Sequence, residues 1–396
     1  MMDILEDIRV LSFNHFLLGP MGTQVLADLG ADVIGIEPVT GAFQRNWGGV
    51  GSHKVNGETM LHLCGSRNKR SLAIDMKSPE GAAVIEKLVR TADVMSENFR
   101  PGVMDKLGFG YQSVQKMNPR IIYAAASGFG QDGPYSKRPG QDLVIQALSG
   151  LANINGSKDQ PPTAVGVSAA DHHGAQILAM SILAALFRRE KSGKGCRVDI
   201  DLLSAALDLQ NESLVCYANS SVKSQRPPPN IAGWYFPAPY GIYKVADGYI
   251  AISLGSMENI ADALGLPALK QFSEADIFER RSEIAILIQD CVKNFQTTEV
   301  EEKLESRKLW YSRVNDYEAV LDDPQVQHNG SFLKIQEDGQ KEIILLAHPA
   351  KYDGERPGIR LSPQALGAQT NEILGELGYT ADEIGKLSDT GIVHQS

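Results

Sequence analysis

The residue type and position most suited to chemistry is a carboxylate at Asp171. It stands in Val-Gly-Val-Ser-Ala-Ala-Asp-His-His-Gly (165–174), behind a run of small residues. Downstream, Ile177, Leu178, Ile182, Leu183, Leu186 and Phe187 recur at helical spacing, with Arg188, Arg189 and Lys191 in the last turn and Gly193 as a stop. Asp171 is therefore expected at a helix start, facing unpaired backbone N–H groups and the positive end of the helix dipole. Two roles follow. Asp171 is an N-cap, or small neighbours leave it exposed, ionised at neutral pH and able to attack an electrophile. A second group of residues bears on the choice. Lys77, Asn98, Arg100, Lys137 and Arg138 each follow a short apolar run with strand character. In a parallel α/β sheet such positions share the edge where ligands bind, and cations gathered there suit an anionic ligand.

The elements that must hold these residues fit an α/β chain. Ile8 to Phe13 and Ala31 to Glu37 read as strands flanking a helix that ends near Leu29, a βαβ unit that favours a parallel sheet. Glu37 ends the second strand, where a dinucleotide-binding fold carries its ribose acid. The first turn lacks G-x-G-x-x-G, however, so the topology is Rossmann-like without that cofactor. Phe43 to Met60, with Trp47 and several glycines, reads as a surface loop able to cover a ligand. Further strands are expected at Ser71 to Met76, Asp93 to Ser96, Ile121 to Ala126 and Cys196 to Leu202. Helices are expected at Glu80 to Thr91, around Lys106, and from Ser204. Arg226-Pro227-Pro228-Pro229-Asn230 marks a domain boundary. Beyond it a hairpin (Tyr240 to Val245, Tyr249 to Ser253) and helices from Met257 to Leu321 make a smaller α+β domain. Phe332 to Ala347 has strand character around a turn at Glu337-Asp338-Gly339, and Ala368 to Leu387 reads as a helical tail. The expected division is 1–225, 226–330, and 331–396 returning to the large domain.

Composition narrows the function. The 396 residues suffice for two or three domains, and a hydrophobic content of 43% allows ordinary cores. A net charge of −10 argues against nucleic-acid binding. The four cysteines, Cys64, Cys196, Cys216 and Cys291, show no metal-ligand spacing and suit a cytoplasmic protein with no metal site. The acidic N-terminus is not a signal peptide, and no apolar run is long enough to span a membrane.

Taken together, these segments resemble the class III CoA-transferases, the CaiB/BaiF family. The resemblance rests on Leu18-Gly19-Pro20 with Ala27-Asp28-Leu29-Gly30-Ala31-Asp32, on Asn68-Lys69-Arg70-Ser71 through Asp75-Met76-Lys77, and on Glu97-Asn98-Phe99-Arg100-Pro101-Gly102. Ser127-Gly128-Phe129-Gly130, Ser192-Gly193-Lys194-Gly195, the hairpin and Gly375-Glu376-Leu377-Gly378-Tyr379 extend it over nearly the whole chain. It implies a Rossmann-like large domain built from both chain ends, a smaller inserted domain, and a homodimer of interlocked rings. Coenzyme A is implied as part of an acyl-CoA substrate rather than as a tightly bound cofactor, with contacts from Ile74, Asp75, Lys77, Asn98, Phe99, Arg100, Lys106, Lys137 and Arg138. The second substrate is a free carboxylic acid. Asp171 matches the family's nucleophile, which passes through an aspartyl mixed anhydride and an aspartyl-CoA thioester.

Two alternatives stand beside this reading, the first sharing the same fold. One is 2-methylacyl-CoA racemisation, which needs a histidine base where this chain has Gln141; an amide cannot take a proton from carbon at neutral pH. His172 and His173 follow Asp171 on its helix and are expected to point away from it. The other is a non-catalytic acyl-CoA binding protein in which Asp171 only caps. Leu17 stands where similar formyl-CoA transferases carry glutamine, which argues against formate and oxalate.

Overall fold

The computed structural model describes residues 3–222, 226–336 and 338–396. Residue 225, the expected end of the large domain, and Glu337, the first residue of an expected turn, lie outside these. Apolar residues on both faces of successive strands make the central feature, a sheet buried on two sides. Its strands are β1 (Arg9–Phe13), β2 (Asp32–Glu37), β3 (Lys69–Ile74), β4 (Val94–Glu97), β5 (Ile122–Ser127), β6 (Cys196–Asp201) and β7 (Val393–His394). They run in the order β7-β3-β2-β1-β4-β5-β6. All neighbours are parallel except β7, which pairs antiparallel with β3. The order 3-2-1-4-5-6 is that of a doubly wound dinucleotide-binding sheet. Alternate residues feed two cores. Leu11, Ile34, Leu72 and Met95 pack on one face, and Val10, Val33, Val94 and Ile122 on the other. This two-sided burial is what a parallel sheet requires.

Four helices matter for the site: α1 (Leu18–Asp28), α2 (Asp142–Leu148), α3 (Ala169–Ser192) and α4 (Leu202–Leu209). Glycines let α1 and α3 approach closely. A Cβ on Gly22 would lie 2.8 Å from Leu178 Cδ2, and one on Gly174 would lie 2.6 Å from Leu18 Cδ1. Those contacts set α1 against the second and third turns of α3, so that the Leu18 N–H reaches the Asp171 carboxylate. The expected stop is present, with Gly193 at φ 68° closing α3.

Several expectations change. Glu37 is not free to meet a ribose. Its carboxylate takes hydrogen bonds from Arg45 Nε at 2.6 Å, Arg45 Nη2 at 2.7 Å and the Ala42 N–H at 3.0 Å. The tail is two helices, Thr370–Glu376 and Ala381–Asp389, rather than one. Gly378 at φ 82° turns the chain between them, and the chain then ends in β7, which the short, mixed sequence of Val393–His394 did not announce.

The chain divides into two compact units: 1–145, 168–209 and 327–396 form the first, and 146–167 with 210–326 the second. The proline-rich segment lies inside the second unit rather than at its border. Residues 146–167 join it because Lys158 N–H donates to the Pro227 carbonyl at 2.9 Å and Gln210 Nε2 donates to the Ser149 carbonyl at 3.3 Å. The second unit is α+β. Gly241–Lys244, Tyr249–Ile252 and Tyr311–Arg313 form an antiparallel sheet, backed by helices that include Met257–Leu264 and Arg281–Val292. Tyr243, Ile250, Ile260, Ile288 and Leu304 centre its core. Among the described residues no helix is long and apolar enough to cross a membrane.

Candidate active site

Strand order reverses between β1 and β4, and a crevice opens beyond their carboxyl ends, as the sheet topology demands. The chain leaving β1 supplies His15, Phe16, Leu17 and Leu18; the chain leaving β4 supplies Asn98 to Pro101. Together with residues 126–128, 136, 138–143 and 168, and with Asp171 and Leu202, they line a cavity of about 450 Å³, which lies within the first unit. Trp47 and Leu61 line it as well, so the glycine-rich loop does contribute to a ligand space.

The two sides of the crevice are stitched by one amide. Asn98 Oδ1 accepts from the His15 N–H and Asn98 Nδ2 donates to the His15 carbonyl, each at 2.8 Å. Phe99 N–H donates to Glu97 Oε2 at 2.8 Å, which fixes the turn that follows. Beyond β5, Gly128 and Gly140 meet backbone to backbone; a Cβ on Gly128 would sit 2.7 Å from Gly140 Cα. That approach brings Gln141 and Asp142 to the cavity.

Asp171 does not cap its helix. The helix begins at Ala169, two residues earlier than expected, and the Ser168 side chain makes no capping hydrogen bond. The cap comes from elsewhere in the chain. Asp142 Oδ1 accepts from the Ala170 N–H at 2.8 Å and the Asp171 N–H at 3.1 Å. The Asp171 carboxylate is thus released for other work, but it is not the readily ionised group that a helix dipole alone suggests. Burial, and then the negative charge of Asp142, push it up to about 7, only partly offset by a hydrogen bond from the Leu18 backbone. Among the described residues no arginine or lysine forms an ion pair with it. A carboxylate poised near neutrality in a cleft is a functional signature.

The expected coenzyme A contacts separate. Asn98, Phe99, Arg100 and Arg138 line the cavity with Asp171. The Arg138 guanidinium lies over the Tyr135 ring at 3.9 Å from its centre. Asp75, Lys77, Lys106 and Lys137 lie outside the lining; the three lysines are exposed and Asp75 accepts from the Lys77 N–H at 2.9 Å. Ile74 lies outside the lining as well and is 0% exposed in the core. Of the two histidines, His173 Nε2 meets Asp208 Oδ2 at 2.7 Å, away from the cavity, and His172 does not line it. Gln141 does. Sequence reasoning overlooked His15, Phe16 and Asp142. The first two follow β1 directly, so the strand-order rule was the signal available. Among the described residues no cluster of His, Cys, Asp and Glu suits a metal ion.

The family model "CoA-transferase family III" matches residues 5–370. The chain belongs to CoA-transferase family III. It is similar to the succinyl-CoA–D-citramalate CoA-transferase of Chloroflexus aurantiacus, 31% identical over 98% of each chain. It is also similar to the human succinyl-CoA:glutarate CoA-transferase, 31% identical over 99% of this chain and 90% of that one. The crystal structure of a CaiB/BaiF family protein from Brucella suis superposes with a TM-score of 0.81 at 29% identity, covering 93% of this chain and 98% of that one. This family III enzyme therefore acts on acyl-CoA.

Proposed function

We propose that this enzyme moves coenzyme A from an acyl-CoA thioester to a free carboxylic acid by covalent catalysis at Asp171. The observation that carries the reading is the Asp171 carboxylate, held in the cavity with no paired cation among the described residues and kept basic by burial and by Asp142. A carboxylate less stabilised as an anion is the better nucleophile. Asp171 attacks the thioester carbonyl, the C–S bond breaks, and coenzyme A leaves as a thiolate with a mixed anhydride behind it. The thiolate then attacks the Asp171 carbonyl carbon and expels the first acid as its carboxylate, giving an aspartyl-CoA thioester. The incoming carboxylate attacks that thioester, and the same two steps run in reverse. No proton is taken from carbon and no metal is required. The Leu18 backbone N–H, which donates to the Asp171 carboxylate, would stabilise the oxyanion that forms on the Asp171 carbonyl when the thiolate attacks it.

Asn98, Phe99, Arg100 and Arg138 would hold the thioester end of coenzyme A near Asp171. Asp75, Lys77, Lys106 and Lys137, on the same strand edge, would serve its phosphates and nucleotide. We further infer a cytoplasmic homodimer with interlocked chains. Met180 and Phe187 on α3 are large apolar side chains, 62% and 65% exposed, and call for a covering partner. Sedimentation at micromolar concentration should give a dimer; monomer alone would contradict this. The reaction itself is tested by incubating enzyme with an acyl-CoA and an isotopically labelled carboxylic acid. Label entering the thioester supports transfer. Epimerisation without exchange would indicate a racemase, and binding with neither would leave an acyl-CoA binding protein.

A further inference from the structure

His15 is a titratable side chain in the cavity that the transfer steps above do not use. Its position is determined more tightly than a loop residue needs. The Asn98 amide grips its backbone at both the N–H and the carbonyl. Its ring lies between Phe16 and Phe99, with centroid distances of 5.2 and 5.1 Å. Phe16 adopts φ 60°, a left-handed conformation that is uncommon for an aromatic residue, and its N–H donates to Gln44 Oε1 at 3.2 Å. Unfavourable backbone conformations persist where surrounding contacts over-determine them, and they collect at ligand sites. The turn after β1 is thus held in a strained form whose effect is to fix the ring of His15 beside the cavity that holds Asp171.

The chemistry of the ring follows from its burial. Nδ1 is buried with no hydrogen-bond partner among the described residues. A buried, unpaired N–H is costly, so the proton resides on Nε2. Burial also lowers the basicity of the ring, which favours the neutral form. A neutral donor is what this site can tolerate. A cation in the cavity that Asp171 also lines would favour the Asp171 anion and lower its basicity, whereas an uncharged N–H can bind an acyl oxygen without that penalty.

We propose that His15 is a substrate-binding residue, donating its Nε2–H to the carbonyl oxygen of the acyl group that Asp171 attacks. The proposal rests on the reading of Asp171 as the nucleophile. It makes His15 a determinant of which acyl groups are accepted: those that place a carbonyl oxygen within reach of the ring.

Two variants test it. His15→Leu keeps bulk and removes the donor; His15→Gln keeps an amide N–H near the position of Nε2. For wild type and both variants, transfer kinetics, the affinity for free coenzyme A by calorimetry and the melting temperature are measured, and the aspartyl adduct is trapped in the wild type. The leucine variant should lose roughly 10–100-fold in kcat/KM, the effect of removing one donor to a polarised oxygen. Its affinity for free coenzyme A and its melting temperature should stay unchanged, because free coenzyme A has no acyl oxygen. The glutamine variant should recover most of the activity. Wild-type transfer rates in His15→Leu would overturn the proposal. So would parallel losses of coenzyme A affinity and melting temperature in both variants, which would make His15 structural, or a glutamine variant as slow as leucine. Absence of any adduct in wild-type enzyme would instead remove the Asp171 reading on which the proposal stands.

Discussion

Two clusters of buried polar groups lie at the carboxyl edge of the same sheet and treat charge in opposite ways. In the first, a small cavity of about 40 Å³ is lined by residues that include Glu37, Arg45, His62 and Lys69. Burial alone would raise Glu37, but the Arg45 hydrogen bonds and positive charge overcome it and hold the acid below its usual range. The Lys69 ammonium donates to the Pro20 carbonyl at 2.6 Å and to Thr23 Oγ1 at 2.9 Å, and His62 is pushed down to about 3 by burial and then by Arg45. In the second cluster burial, and then the like charge of Asp142, push Asp171 up to about 7. The difference teaches how to read a buried carboxylate. Glu37 is matched by a cation and braces the turns around β2. Asp171 is mismatched, at a cost to stability that the proposed role as nucleophile would put to use.

The sharpest way to break this contrast is at Asp171. Asp171→Ala should lower exchange by roughly a thousandfold or more, because the covalent path is gone. Asp171→Asn should be nearly as inactive while melting higher than wild type at pH 8. The sign follows from linkage. The folded pKa is raised from 3.8 to about 7, so the wild type loses stability as pH rises between these values, and asparagine avoids that loss. Near pH 4 the two should melt alike. An asparagine variant with full activity would erase the distinction between the clusters.

Next in size is Glu37→Gln. It leaves the Arg45 charge buried and should cost roughly 3 kcal/mol in denaturant unfolding, the scale of a broken buried pair. Exchange per folded molecule should persist; a loss of turnover without loss of stability would mean that Glu37 serves the chemistry after all.

Asp142→Asn sharpens the comparison by removing the like charge and keeping a capping oxygen. Wild-type kcat/KM should climb with pH through about 7 as Asp171 ionises. In the variant the rise should come at lower pH, still above the ordinary carboxylate range because burial remains. An unmoved pH profile would assign the raised basicity of Asp171 to burial alone.

The smallest effect is expected at the exposed edge. Replacing Lys137 and Arg138 together with alanine should weaken coenzyme A binding several-fold in calorimetry at low salt, and less at high salt, because exposed charges are screened. Unchanged affinity would remove this loop from the binding surface.

How much of this was legible in the sequence differs by element. The parallel sheet announced itself, since β1, β2, the Leu72–Ile74 half of β3 and β5 are mainly apolar stretches separated by helical or turn signals. The long helix behind Asp171 did so through its period and through Gly193. What spacing could not reveal is tertiary. The cap on α3 comes from Asp142, 29 residues before Asp171, so the local rule pointed to the wrong carboxylate. The basicity of Asp171 depends on burial and on that same neighbour, neither of which a sequence displays. The short strand β7 exists because β3 offers an open edge, and residues 146–167 belong with the second unit through hydrogen bonds to Pro227 and Gln210. His15 bears no motif, and only the strand order makes it prominent.

The central claim is that the Asp171 carboxylate becomes covalently acylated. Wild-type enzyme is incubated with an acyl-CoA, trapped with hydroxylamine or borohydride, digested and examined by peptide mass spectrometry. The account predicts modification on the peptide that carries Asp171, at that residue, dependent on acyl-CoA and missing from Asp171→Asn. Transfer that proceeds at full rate while the Asp171 peptide stays unmodified, or an adduct on another side chain, would contradict it.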